Sequence, residues 1–277
     1  NSGSIDNNLL PNKWKYKSSD KINRDIKDVL IEAKLREALI LLNPEINKKP
    51  ELADEVIFKL RAILISVNQV GLVRANEEFF EWLRGDKTMP FGENNQHIPI
   101  RLIDFDNLSN NSYIITNQFK IQHSELKIPD IVMMINGIPV VVGEAKTPIR
   151  PAISWLDGAH EIHDIYENAA PQLFVPNILS FATEGKELFY GGVRNPLQFW
   201  SPWRVNDDEN NVTKKLGLGE IKEELIDLLS PERLLDILKN FSLFTTNKQK
   251  QRLKIICRFQ QYEGANKIIE RVSEGKE

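Results

Sequence analysis

Two apolar segments joined by Asn136-Gly137 constrain the fold of this chain more than any other feature. The segments 128–135 and 138–146 carry hydrophobic residues on both faces. Strands of this kind lie inside a sheet that is covered by helices on both sides. Asn-Gly between two such runs is the strongest short-range signal for a β-hairpin. The sequence therefore predicts a central hairpin within an α/β fold.

The region before the hairpin changes character at about residue 92. Apolar residues first recur at helical spacing, and shorter segments rich in β-branched and aromatic residues follow. This pattern predicts helices over 20–42, 50–67 and 76–83, and then strands over 98–105 and 112–121. The first helix should end at Asn43-Pro44, because the residue before a proline disfavours helical geometry.

The region after the hairpin returns to helices. One helical face should carry Trp155, Ala159, Ile162 and Tyr166. Strands are predicted over 178–182 and 188–191, and helices over 221–229 and 232–239, separated by a polar loop at 206–211. We expect a central mixed β-sheet flanked by helices, with a helical C-terminal segment.

Composition restricts the possible functions. The chain of 277 residues is 41% hydrophobic and 27% charged, as in an ordinary globular protein, and its net charge of −3 is unlike that of a protein that coats DNA by itself. The single cysteine, Cys257, excludes an internal disulfide and a multi-cysteine zinc site. No apolar run is long enough to cross a membrane. We expect a soluble cytoplasmic protein and, without an initiator Met, either an excised fragment or a tagged chain.

The hairpin also carries the residues most suited to chemistry. Asp130 lies on the first strand, and Glu144 and Lys146 lie two positions apart on the second, so that their side chains share one face. Two carboxylates and the backbone carbonyl of Ala145 provide oxygen ligands of the kind that Mg²⁺ prefers. With a metal in place, Lys146 would orient a water or help to deprotonate it for attack on a phosphodiester.

This interpretation requires a particular strand register. A two-residue turn at Asn136-Gly137 with regular pairing would place Asp130 opposite Gly143 and on the wrong face. We therefore expect a turn of odd length or a bulge, for example a three-residue loop with Gly137 in the left-handed region. The alternative is a chance motif with its charges at solvated strand ends, although the apolar run before Glu144 argues for burial and hence for a partner.

At these residues the sequence resembles the PD-(D/E)xK nuclease superfamily and, more specifically, the restriction (R) subunit of type I restriction-modification enzymes. The likeness is carried by short blocks at residues 35–39, 42–44, 103–106, 110–111, 117–119, 129–132, 136–140, 144–146, 173–174, 177, 229–233, 240–241 and 258–262. It extends over nearly the whole chain from about residue 30. The combined pattern is specific, whereas each block alone is weak.

The resemblance implies a Mg²⁺-dependent endonuclease domain that hydrolyses double-stranded DNA. Its implied partners are modification and specificity subunits. It divides the chain into an endonuclease domain over 1–244, with a helical N-terminal region over 1–92, a core over 93–205 and a helical linker over 206–244, and the start of an ATP-dependent motor over 245–277, marked by Gln260 and Gln261. Because no P-loop sequence occurs, ATP would bind to a motor that this chain lacks.

The resemblance also indicates further site residues. Glu37 is a candidate extra metal ligand, or else a solvent-facing helix residue. The family has a Gln-x-x-x-Tyr motif after the lysine, for DNA handling; Tyr166 fits it, but Ile162 occupies the glutamine position. Glu161 or His163 is a possible substitute, and Tyr166 is otherwise a core residue.

Other interpretations stay open at this stage. The chain is either a restriction nuclease, a related nuclease of DNA repair, or a docking module whose nuclease site has decayed. His160 and His163 are a weak candidate pair for zinc, because no third ligand is evident. The basic residues of segment 248–258 either contact phosphates or line a solvated helix face.

Overall fold

A mixed β-sheet forms the centre of the fold in the computed structural model, which describes residues 13–147, 149, 152–204 and 218–275. The strands are β1 Lys15–Tyr16, β2 Thr88–Met89, β3 Ile98–Pro99, β4 Tyr113–Asn117, β5 Ile121–Gln122, β6 Leu126–Lys127, β7 Ile131–Ile135, β8 Ile138–Ala145, β9 Leu179–Thr183, β10 Leu188–Gly191, β11 Ser201–Pro202, β12 Ser242–Thr246 and β13 Arg252–Ile256. Seven of them form one sheet in the order β1-β4-β7-β8-β9-β10-β11. Its β1–β4 and β8–β9 pairs are parallel and the others antiparallel.

Helices pack around this sheet, which confirms the predicted fold class. They are α1 Glu32–Leu42, α2 Pro44–Lys48, α3 Leu52–Val70, α4 Leu72–Arg84, α5 Trp155–His160, α6 Glu167–Ala169, α7 Pro171–Phe174, α8 Leu218–Leu228, α9 Pro231–Asn240 and α10 Phe259–Ser273, with a π-helical segment at Glu161–Tyr166 between α5 and α6. Short 3₁₀ turns lie at Ser19–Lys21, Glu93–Asn95, Leu108–Asn110 and Leu197–Phe199. Among the described helices, none has the length and apolar character needed to cross a bilayer.

The first helix is shorter than predicted. It begins at Glu32 instead of near residue 20, and it ends before Asn43 as expected. In the preceding segment, the carbonyl of Ile26 accepts a hydrogen bond from the Gln122 backbone at 2.8 Å, and the Ile31 N–H donates to Gly137 at 2.8 Å. These tertiary bonds replace helical ones, although the apolar residues Ile22, Val29 and Leu30 of the segment are buried as their spacing suggested.

Two predicted strands also differ. Only Ile98–Pro99 of segment 98–105 is a strand, because the carboxylate of Asp104 turns the chain by accepting the N–H groups of Asp106 and Asn107, each at 2.9 Å. Segment 112–121 is divided into β4 and β5. The break follows from Gln118, which adopts a left-handed φ of 50°.

The central hairpin has a two-residue turn and a bulge further along. Ile135 pairs with Ile138, and Asn136 and Gly137 have φ angles of 52° and 80°. The predicted three-residue loop is therefore wrong. Met134 pairs with Pro139 but Met133 pairs with Val141, so that an extra residue is inserted in β8. A bulge beside Pro139 is physically reasonable, because proline has no N–H for the ladder.

The hairpin is the most buried part of the sheet. Eight apolar residues of β7 and β8 are at most 1% exposed: Val132, Met133, Met134, Ile135, Ile138, Val140, Val141 and Val142. Helix α5 contacts β8 and β9, and α7 contacts β8. Because consecutive strand residues point to opposite faces, their unbroken burial shows that both faces of the hairpin are covered, as its continuous hydrophobicity predicted.

The C-terminal region contains a hairpin where helices were expected. Strands β12 and β13 pair from Ser242 with Ile256 to Thr246 with Arg252. The basic segment is therefore not a solvated helix face: Lys254 is only 2% exposed, and Arg252 forms an ion pair with Glu77. The polar loop at 206–211 lies outside the described residues. The division at 244/245 falls within β12 and stays a prediction.

Candidate active site

Asp130 and Glu144 meet at the open end of the central hairpin. Beyond the bulge, Ile131 pairs with Gly143, so one further step along the register places Asp130 opposite Glu144. Residues directly opposite each other project their side chains to the same face. The Asp130 N–H lies 3.3 Å from Oε2 of Glu144, to which it donates a hydrogen bond. The bulge thus satisfies the condition that the sequence imposed.

The carboxylate of Asp130 is held from two sides. Its Oδ1 accepts a hydrogen bond from Nε2 of Gln118 at 2.7 Å, and its Oδ2 accepts one from the backbone N–H of Ala145 at 3.1 Å. Since the N–H and C=O of one strand residue point the same way, the Ala145 carbonyl is also directed towards the β7 side. Gln118 belongs to a block that carried the family likeness, but its contact depends on a left-handed φ that a sequence does not reveal.

Glu144 is a buried carboxylate. It is 3% exposed, and its Oε1 accepts a hydrogen bond from Nζ of Lys146 at 2.9 Å. Burial raises the pKa of Glu144 to about 7, with Asp130 and Glu161 adding repulsion and Lys146 opposing the shift. A cation beside a buried carboxylate stabilises the ionised form of that carboxylate.

Lys146 lies between two carboxylates. Besides Glu144, its ammonium forms an ion pair with Oε2 of Glu161. Partial burial by itself would lower the pKa of Lys146, but the hydrogen bonds to Glu161 and Glu144 outweigh it and the pKa is raised. Lys146 is therefore an ammonium donor in this arrangement.

Glu161 and Tyr166 complete the cluster from the π-helical segment. The Tyr166 hydroxyl donates to Oε1 of Glu161 at 2.7 Å, and Tyr166 is 5% exposed. Ile162, at the family's glutamine position, is fully buried in the core, and His163 contacts Asp164 instead. Of the two substitutes considered from the sequence, the structure brings Glu161 to the site.

The donor set fits a hard divalent cation. Asp130, Glu144 and the Ala145 carbonyl offer oxygen ligands only, and Mg²⁺ is commonly held by one or two carboxylates with waters and substrate phosphates completing its shell. Among the described residues there is no group of three or more His, Cys, Asp or Glu side chains that could hold a metal. His160 and His163, the candidate zinc pair from the sequence, each contact Asp164 through Nδ1, at 2.6 and 2.7 Å.

Three other candidate residues lie on helices outside the hairpin. Glu37 is exposed on α1 and pairs with Lys34, which lies against Gly137 at the opposite, turn end of the hairpin. The structure therefore does not bring Glu37 to Glu144. Gln260 and Gln261 lie in the first turn of α10, where the Gln261 side chain accepts the N–H of Arg258 at 2.9 Å.

Several family-like blocks build the scaffold of the hairpin. The Asn136 side-chain amide donates to the Leu102 carbonyl at 2.8 Å and to Oδ1 of Asn111 at 2.9 Å. A Cβ on Gly137 would lie 2.5 Å from the carbonyl oxygen of Ile31, the residue just before α1. Only glycine therefore fits at position 137 of the turn. These residues hold the turn end of the hairpin, and through its register they position Asp130 and Glu144.

Gly143, next to Glu144, packs against an aromatic ring. A Cβ at this position would lie 2.2 Å from the Phe181 ring, and Phe181 is 1% exposed. We therefore expect Gly143→Ala to lower the free energy of unfolding by about 1–3 kcal/mol through overpacking. Urea denaturation of the chain measures this change.

Gly264 provides the matched control. It lies inside α10, and a Cβ added there would meet no atom within 4 Å, so Gly264→Ala should raise the stability by about 0.5–1 kcal/mol. Equal effects of the two substitutions would contradict the close contact between Gly143 and Phe181.

Glu167 anchors the helix that follows Tyr166. It is 1% exposed and accepts the backbone N–H of Arg194 at 3.0 Å. Burial raises the pKa of Glu167 from 4.5 to about 8; Arg194 and Lys254 oppose the shift, and Asp164 adds to it.

This shift predicts a pH dependence of stability. Because the folded pKa of Glu167 is the higher one, the folded chain binds more protons than the unfolded chain between pH 4.5 and about 8. The stabilisation that Glu167 contributes to the folded state is therefore present at low pH. It is lost as the pH rises through that window, by at most about 1.4 kcal/mol per pH unit. Glu144, whose pKa is also raised, contributes a slope of the same sign up to about pH 7. We expect Glu167→Gln to reduce the total slope in denaturation series, most clearly above pH 7, and an unchanged slope would refute the assignment.

Comparison with known proteins supports the family likeness. A family model described as "Type I restriction enzyme R protein N terminus" matches residues 4–199. The type I restriction enzyme HindI endonuclease subunit of Haemophilus influenzae is 30% identical over 251 residues, which cover 89% of this chain and 23% of that protein. The putative type I restriction enzyme MjaVIIIP endonuclease subunit of Methanocaldococcus jannaschii is 30% identical over 279 residues, covering 97% and 25%. The chain thus spans about a quarter of the length of these curated relatives.

Proposed function

Because the chain belongs to the family of the type I restriction enzyme R protein N terminus, we propose that it is a divalent-metal-dependent endonuclease domain acting on double-stranded DNA. The observation that carries this proposal is the meeting of Asp130, Glu144 and Lys146 at one end of the central hairpin. The related subunits from H. influenzae and M. jannaschii are named endonuclease subunits, which supports the same activity here.

Each residue of the cluster has a distinct role in this proposal. Asp130 and Glu144 would hold Mg²⁺, together with the Ala145 carbonyl. Gln118 fixes the rotamer of Asp130 through its hydrogen bond to Oδ1. Lys146, as an ammonium, orients the attacking water and the phosphate by donation; its raised pKa favours this role over proton abstraction.

The bound cation supplies Lewis-acid stabilisation of the charge that develops on the phosphate. The buried position of Glu144 strengthens the interaction of its carboxylate with any cation, because the surroundings screen charge less than water does. In-line hydrolysis also requires that the attacking water give a proton to solvent and that the leaving oxygen take one up, while the side chains of this cluster would hold water and phosphate in place.

The DNA is proposed to be held mainly by other parts of the enzyme. The chain has a net charge of −3, which gives little general attraction for a polyanion. We propose that modification and specificity subunits recognise the DNA, and that an ATP-driven motor beyond this region brings it to the site. The location in the cytoplasm belongs to the same proposal.

Cleavage of a supercoiled plasmid tests the activity. The assembled enzyme with ATP and Mg²⁺ is expected to nick and linearise the plasmid, whereas EDTA or Asp130→Asn should abolish cleavage. Asp130→Asn keeps the shape of the side chain but removes the charge that holds the cation. Asp86→Asn, at an exposed position after α4, is the matched control and should cleave normally.

The contrary result has a defined meaning. If wild type and Asp130→Asn leave the plasmid equally intact under conditions in which the motor consumes ATP, the domain is a docking module with a decayed site. Equal cleavage by both proteins would place the active site elsewhere.

A further inference from the structure

Lys146 contacts two carboxylates that have different roles in the proposed nuclease. It donates to Oε1 of Glu144 at 2.9 Å and forms an ion pair with Oε2 of Glu161. In the proposed nuclease, the carboxylate of Glu144 is needed to hold a cation. Lys146 and a cation would therefore compete for the carboxylate of Glu144, whereas the contact of Lys146 with Glu161 leaves Glu144 free.

The π-helical segment brings Tyr166 to the carboxylate of Glu161. Residues five apart lie roughly 140° from each other around an ordinary α-helix, which turns about 100° per residue. The wider π-turn at Glu161–Tyr166 places its first and last side chains close enough for the Tyr166 hydroxyl to bond Oε1 of Glu161 at 2.7 Å. Single π-turns inside helices are frequent at functional sites.

Both oxygens of Glu161 are thus in use. Oε1 accepts from Tyr166 and Oε2 faces Lys146. The Glu161 carboxylate therefore faces Lys146 and Tyr166.

We propose that Glu161 is a positioning residue that retains Lys146 at the site when Glu144 exchanges its ion pair with Lys146 for a divalent cation. This inference rests on the proposed nuclease function. Before the cation binds, Lys146 neutralises Glu144; afterwards, the ammonium keeps Glu161 as its counter-ion and stays beside the phosphate. Without Glu161, cation binding at Glu144 leaves the Lys146 ammonium unpaired next to a second positive charge.

The exchange of ion-pair partners among Glu144, Lys146 and Glu161, called the relay below, is tested by a double-mutant cycle on Mn²⁺ affinity. Isothermal titration calorimetry with MnCl₂ is applied to the chain without DNA, for wild type, Glu161→Gln, Lys146→Met and the double variant. Glu161→Gln is expected to weaken Mn²⁺ binding about tenfold, as for other outer-shell partners of metal sites. Lys146→Met should bind Mn²⁺ more tightly than wild type, because the competing ammonium is gone.

The decisive comparison is the double variant. If Glu161 acts through Lys146, Glu161→Gln has no further effect in the Lys146→Met background. A tenfold loss in both backgrounds would show that Glu161 is itself a metal ligand or acts by its charge alone, and would overturn the proposal. Asp164→Asn, which removes a charge three residues further along the same π-helical segment, is the matched control and should leave the affinity unchanged.

Two arrangements keep the result interpretable. Thermal melts verify folding, and if Glu161→Gln does not fold, Tyr166→Phe repeats the cycle by deleting the hydroxyl that fixes Glu161. Plasmid cleavage is scored separately. Absent cleavage with the expected cycle refutes the nuclease proposal and leaves the relay intact, whereas normal cleavage with a flat cycle refutes the relay alone.

Discussion

Replacing Lys146 by alanine is expected to reduce plasmid cleavage by about 10²–10⁴-fold. The substitution removes the ammonium that donates into the site and leaves Glu144 and Glu161 without their common partner. Cation binding should survive, because Asp130 and Glu144 remain. The measurement is the initial rate of nicking of supercoiled DNA by the assembled enzyme with ATP and Mg²⁺.

Lys59→Ala is the control for this experiment. Lys59 is exposed on α3, and removing it changes the net charge by the same amount without touching the hairpin. It should cleave like wild type. Equal rates for Lys146→Ala and Lys59→Ala would refute the role assigned to Lys146.

The second large effect is expected at Lys254, where Lys254→Ala should lower the free energy of unfolding by about 2–5 kcal/mol. This lysine is 2% exposed and its Nζ donates to the Asn177 carbonyl at 2.6 Å. The ammonium also lies 3.9 Å from the centre of the Phe80 ring. Truncation therefore removes a buried aliphatic stem and leaves a cavity between β13 and the helices beneath it.

Two further substitutions separate packing from charge. Burial lowers the pKa of Lys254 well below its usual value, so its charge is costly and the stem provides most of the stabilisation. Lys254→Met, which keeps the volume, should cost less than Lys254→Ala. The exposed neighbour Lys248 gives the control, since Lys248→Ala should have little effect on urea denaturation. A loss from Lys254→Met as large as that from Lys254→Ala would contradict the packing argument.

The sequence predicted the central region of the fold because local and tertiary preferences agree there. The apolar runs on both sides of Asn136-Gly137 form the expected hairpin, and the parity argument correctly required an insertion in the register. It did not place the bulge near Pro139. Elsewhere tertiary contacts override the local pattern: the residues before Glu32 are apolar at helical spacing, yet their backbone groups bond to neighbouring segments.

The candidate site was predictable only to a limited extent. Asp130, Glu144 and Lys146 follow from strand alternation, which is a regular period. Glu161 does not, because it comes from the π-helical segment and not from the strands, and the family's usual glutamine position is filled by the core residue Ile162. Lys254 shows the same limit, since a lysine in a basic segment is expected to be exposed and here is buried.

A crystal of the chain soaked with MnCl₂ tests the central claim most directly. The anomalous signal of Mn²⁺ locates the ion independently of any assay of cleavage. We predict a peak between the carboxylates of Asp130 and Glu144 that is absent from Asp130→Asn crystals. Mn²⁺ bound only at another position, such as His160 and His163, with none between Asp130 and Glu144, would contradict the assignment of this hairpin as the metal-dependent cutting site.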